Sequence, residues 1–179
     1  MAIIALDMAD AIYNVEGAVK SLVDMRVEDS FGSIEETAWA LIALSKHKDI
    51  EGVSQIIAKS IDYLKENQSD NGGYDLMDCG DTPQYTALVI QALIANGIDP
   101  LEWMKGDKNL IDSLLNDQLE DGTFRSCEML GDYVDIPSTE RSFAAIADLY
   151  IGKSMYHSIE PELDPSDIVG NTIKEVREY

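Results

Sequence analysis

Apolar residues along the chain fall into two alternating kinds of run. In the first they recur at i, i+3, i+4, i+7 and i+8, as in Val15, Ala18, Val19, Leu22 and Val23. Such a stripe covers one face of a helix and predicts packing on that side alone. Val53, Ile56, Ile57, Ile61 and Leu64 repeat it within residues 51–67, leaving Lys59, Asp62 and Glu66 to water. Leu110, Ile111, Leu114 and Leu115 make a third stripe, and Ile168, Val169, Thr172, Ile173 and Val176 a fourth. In the second kind, apolar residues run almost all the way round: TAWALIAL from Thr37, TALVIQAL from Thr86 and SFAAIADL from Ser142. These predict helices covered on both sides. AIIAL at residues 2–6 matches ALIAL at 40–44, so the chain opens inside a helix of this second kind. The alternation predicts an all-α, single-domain chain spanning 1–179, with about four helical hairpins, one-sided helices outside and all-round helices inside.

The punctuation between runs also repeats. SIDYLKENQSDNGGY ends one outer helix with Gln68, Gly72 and Tyr74, and LLNDQLEDGTF ends the next with Gln118, Gly122 and Phe124. A glutamine amide at a helix end can bond orphaned backbone groups while an aromatic ring covers it, so the motif reads as structural. The earlier segment MRVEDSF keeps only the aromatic, Phe31. Helix starts are expected at Asn14, at Ser33 or the Glu35–Glu36 pair, at Asp81, Thr82 and Pro83, and at Ser138 or Thr139.

Composition narrows the partners. With 34 acidic against 13 basic residues, the formal charge of −21 repels phosphate backbones and anionic headgroups, which excludes nucleic acid as a partner. Solubility explains the acidity, and a cationic ligand, calcium or a basic partner stays open beside it. No apolar run reaches membrane-spanning length, so no membrane insertion is expected. The N-terminus lacks the basic region of a signal peptide, which leaves a cytosolic chain or a mature or truncated exported one. Cys79 and Cys127 follow equivalent turns of consecutive repeats. Free thiols are the expectation, and a bridge would require their Cα atoms to approach within about 4.4–6.8 Å.

The Gln68-x-x-x-Gly72-x-Tyr74 turn and its second copy resemble the repeat of the terpenoid cyclase and protein prenyltransferase superfamily. TALVIQALIANGIDP, NLIDSLLNDQLEDGTF and STERSFAAIADLY most resemble the prenyltransferase-like repeat regions of bacterial cell-surface proteins, which are related to the helical domain of transcobalamin. The resemblance covers roughly residues 35–150. It implies an α/α toroid, left incomplete by four hairpins, and a non-catalytic ligand-binding or scaffold module of a surface or secreted protein. The alternative it implies is a cyclase-like or prenyltransferase-like enzyme acting on an isoprenoid, with Glu35 or Glu36 as general acid ahead of Thr37-Ala38. A cobalamin-type ligand is a third reading.

Further chemistry finds little in the chain. Prenyltransferase zinc is held by Asp, Cys and His, and Cys79 has Asp78 and Asp81 beside it. His47 and His157, however, stand at helix ends away from that turn and read as surface residues, so neither metal nor cofactor is expected. Residues 70–81 lack the spacing of a calcium loop. No nucleophile elbow, phosphate loop or HExxH is present. Stacked hairpins would gather the inner-helix N-termini and the turns at one end. That end makes Glu35, Glu36, Trp39, Tyr74, Asp81, Gln84, Tyr85, Phe124, Glu140 and Arg141 the candidate ligand-binding residues, none of them catalytic outside the enzyme alternative.

Overall fold

The computed structural model describes residues 1–75 and 79–157. The fourth outer stripe predicted at 168–176 and the carboxylate of Asp78 lie outside the described residues. Seven α-helices are present among those described: α1 (Ala2–Met8), α2 (Val15–Val23), α3 (Ile34–Leu44), α4 (Val53–Glu66), α5 (Pro83–Ala95), α6 (Leu110–Asn116) and α7 (Ile136–Ile151). Helices α1, α3, α5 and α7 pack side by side in that order, and α2, α4 and α6 lie against α1, α3 and α5 respectively. The alternation of all-round and one-sided apolar runs thus becomes two layers of helices. A hairpin of two-residue strands, β1 (Met104–Lys105) and β2 (Lys108–Asn109), interrupts the connection from α5 to α6. Its strands are too short for an alternating pattern to show.

Helix α5 is central. Ala87, Leu88, Val89, Ile90, Ala92 and Leu93 are all fully buried, as a helix held between α3 and α7 with α6 behind it requires. Helix α7 departs from expectation. Its buried positions are Ser138, Ser142, Ala145 and Asp148, whereas Phe143, Tyr150 and Ile151 are exposed. Small side chains let α7 lie close to α5, and the large apolar residues point elsewhere.

Most helix starts follow the expected chemistry. The Asn14 side chain accepts from the Gly17 N–H, and Ser33 and Glu36 form a reciprocal capping box at α3. The start of α5 falls where expected, with Thr82 as N-cap and Pro83 in the first turn, though Thr82 makes no side-chain cap bond. One start corrects the sequence reading. Helix α7 begins earlier than Ser138 or Thr139, because the Asp135 carboxylate accepts from the Ser138 N–H and Pro137 fits the first turn.

The other helix ends are tied across the row, and here both histidines correct their reading as surface residues. His47 is buried, with Nε2 2.8 Å from Asp7 Oδ2, while the Tyr13 hydroxyl donates to Asp7 Oδ1 at 2.5 Å. Burial and the Asp7 carboxylate push the Tyr13 phenol up to about 12. Lys48 donates to the Asn96 carbonyl at 3.1 Å, and Asn96 Nδ2 donates to the Leu41 carbonyl at 3.1 Å, joining α5 to α3. After α7 the chain reverses at Gly152 (φ 70°) and returns toward α3, where His157 Nε2 lies 2.8 Å from the Ser45 hydroxyl.

Candidate functional site

The repeated turns form the scaffold of the site. Gln68 Nε2 donates to the Gly72 carbonyl at 2.8 Å and to the Trp103 carbonyl at 3.1 Å. Gln118 Nε2 donates to the Gly122 carbonyl at 3.1 Å. Backbone bonds match as well: Ser69 N–H to Gly73 O and Gly72 N–H to Ser69 O in one turn, Leu119 N–H to Thr123 O and Gly122 N–H to Leu119 O in the other. Each turn then hands its aromatic to the next inner helix in the same way. The Phe31, Tyr74 and Phe124 N–H groups donate to the hydroxyls of Thr37, Thr86 and Thr139, at 3.0, 3.1 and 3.0 Å. The degenerate first copy keeps this bond, and the third equivalent residue is Thr139, three positions before the Ser142 that opens the run SFAAIADL.

Of the ten candidate residues, the structure gathers one group and buries another. Tyr74 and Phe124 have no exposed surface. The Tyr74 hydroxyl donates to the Leu64 carbonyl at 2.8 Å, and Phe124 meets Phe143 edge-on at 6.1 Å. Asp81 is also buried, and its two oxygens accept from the Ser69 and Ser113 hydroxyls at 3.1 and 2.8 Å, linking a turn to α6 instead of capping α5. These three hold the scaffold. Gln84 and Tyr85 are half-buried in the first turn of α5, and Glu140 is exposed on α7.

Glu35, Trp39, Tyr85 and Arg141 come together. The Arg141 guanidinium stands over the Trp39 ring, 5.2 Å from its centroid, and its Nη1 lies 3.5 Å from Glu35 Oε1. That Nη1 is buried and makes no hydrogen bond. Burial, with the Glu35 carboxylate as the next cause, raises the Tyr85 phenol above its ordinary value. Tyr156, carried back by the chain after α7, meets Trp39 edge-on at 5.6 Å. Trp39, Arg141 and Tyr156, together with Gln91, Pro137, Glu140 and Met155, line a cleft of about 250 Å³. A second cleft, of about 350 Å³, opens between α1, α2 and α3, and Trp39 and Glu36 line it too.

Sequence reasoning missed Gln91, Asp148 and Tyr156. Gln91 and Asp148 are buried and lie 3.5 Å apart across the α5–α7 contact, and Asp148 Oδ1 accepts from the Met155 N–H at 2.9 Å. Burial raises the Asp148 carboxyl above the usual range. The signal available was one polar residue inside each apolar run, TALVIQAL and SFAAIADL. Nothing marks Tyr156, whose place depends on the reversal at Gly152.

Cys79 and Cys127 are bridged, with Cα atoms 6.0 Å apart, which overturns the expectation of free thiols. The Thr82 hydroxyl donates to the Ser126 carbonyl at 2.9 Å, and such ties draw the two loops into bonding range. Among the described residues no group of three His, Cys, Asp or Glu is arranged to hold a metal, and no helix is long and apolar enough to cross a membrane. Comparison with protein-family models, with curated proteins and with solved structures found no match.

Proposed function

We propose that this chain is a non-catalytic ligand-binding or scaffold module built on an incomplete α/α toroid, belonging to a bacterial surface or secreted protein. The row α1, α3, α5, α7 with α2, α4 and α6 laid against it supports the toroid reading, supplying three hairpins and the inner helix of a fourth. The observation that carries the functional reading is the cleft beside Trp39. It is lined by a guanidinium, an indole, a phenol and an amide, groups that hold and orient a ligand. The two carboxylates of the enzyme alternative have structural duties: Glu36 completes the α3 capping box and Glu35 faces Arg141. The Cys79–Cys127 bridge supports the exported compartment, since structural disulfides persist where the surroundings are oxidising.

The test pairs a turnover screen with Glu36→Gln. Incubation with isoprenoid diphosphates and polyprenes should release no cyclised or transferred product. Glutamine keeps the capping box, so the variant should lose only about 0.3–1 kcal/mol of stability, from the charge at the helix N-terminus. Product formation abolished by Glu36→Gln would replace this reading with the enzyme.

A further inference from the structure

The larger cleft lies outside that reading. Ile3, Leu22, Met25, Phe31 and Ala43 give it an apolar lining, Trp39 forms a wall shared with the smaller cleft, and Glu36 is its one side-chain carboxylate. At about 350 Å³ it falls within the range of small-molecule sites. The Ser33 N–H, at 3.0 Å, and the Ser33 hydroxyl, at 2.9 Å, both donate to Glu36 Oε2, so Oε1 faces its surroundings without a protein donor. Charge around the cleft is predominantly negative, with Arg141, over Trp39, a cation from outside residues 1–44. Residues 1–44 carry eight carboxylates against Lys20, Arg26 and the α-amino group of Met1. Lys20 is paired with Asp24 at 3.2 Å and Arg26 donates to the Glu28 carbonyl at 2.8 Å.

We infer that the cleft between α1, α2 and α3 binds a small organic cation, an aromatic or aliphatic body bearing an ammonium group. The body takes the apolar floor, and the ammonium lies near Glu36 and against the aromatic walls of Trp39 and Phe31. Aromatic faces attract quaternary ammonium groups through the ring quadrupole, and the surrounding carboxylates repel anions of the same size.

The probe is (3-hydroxyphenyl)trimethylammonium, set against its neutral isostere 3-tert-butylphenol and titrated into the whole chain. Methyl resonances in NMR spectra report the place, and calorimetry the affinity. The cation should bind saturably, shift the Ile3, Leu22 and Met25 methyl groups, and bind about tenfold tighter than the neutral phenol. Glu36→Gln should lower its affinity toward that of the phenol. Met25→Lys, at a rim side chain that is 71% exposed and so outside the core, should abolish binding with the fold intact. Equal affinity for the two probes, indifference to either substitution, shifts confined to the Met155 side of Trp39, or no saturation would each overturn the inference. Shifts at Met155 alone would still leave the smaller cleft as a binding site, so the two readings fail separately.

Discussion

At the scale of single residues, equivalent positions in the two turns carry different constraints. Gly72 and Gly122 both adopt positive φ, 95° and 87°. A Cβ on Gly72 would come within 2.6 Å of the Asn109 carbonyl oxygen, whereas one on Gly122 would meet nothing within 4 Å. Gly122→Ala should therefore cost only the left-handed penalty, about 1–2 kcal/mol. Gly72→Ala adds a clash with backbone and should cost about 2–4 kcal/mol, measured by denaturant unfolding; equal losses would show the close approach to be unimportant. These turns were legible because glutamine, glycine and aromatic stand at fixed offsets in a short stretch. The aromatic-to-threonine bond was not, because loops of unequal length separate its partners, Phe31 from Thr37 but Phe124 from Thr139. Burial was equally hidden at Tyr74, Phe124 and Asp81.

At the scale of elements, the returning segment after α7 is the part most open to solution conditions. His157 is held below the free-histidine value of 6.5, chiefly by burial and then by Lys46 and Lys48, against a smaller opposing pull from Asp7. The folded state thus binds the proton less tightly than the unfolded one, and the contribution of His157 is complete above 6.5 and declines as pH falls toward its lowered value. Contacts between Trp39 and Tyr156, followed by NMR, should weaken between pH 7 and 5. In His157→Gln that dependence should vanish; a profile unchanged by the substitution would assign the effect to another group. The helices themselves were legible from periodicity, but the faces of α7 were not. A hydrophobic pattern rewards large apolar residues, and the α5–α7 contact selects Ser138, Ser142 and Ala145 for their small size. Asp135 does not stand out in the sequence because Ser138 and Thr139 are equally good cap formers by type.

At the scale of the molecule, the layers were readable and their fastening was not. Cysteines 48 apart in sequence give no sign of whether they meet until the repeats are stacked. In the chain-entropy account a closed loop of that size contributes about 4 kcal/mol, so reduction should lower the unfolding midpoint while leaving helix content nearly unchanged at room temperature. A reduced protein of unaltered stability would make the bridge incidental. The candidate site shows the same division. Stacked inner helices bring Trp39, Arg141, Glu35 and Tyr85 together, whereas Gln91 depends on which side of α5 its neighbour covers and Tyr156 on the reversal at Gly152.

The bridge also governs how the chain responds to force. Under tension applied at its ends, the segment between Cys79 and Cys127 cannot lengthen, which withholds about 160 Å of contour at full extension. Load passes through the sulfur atoms and around α5 and α6, so the central helix and one wall of the smaller cleft keep their covalent enclosure while the outer helices peel away. Held by its two ends, the oxidised chain would be a short, stiff link, and the reduced one a longer and more compliant one.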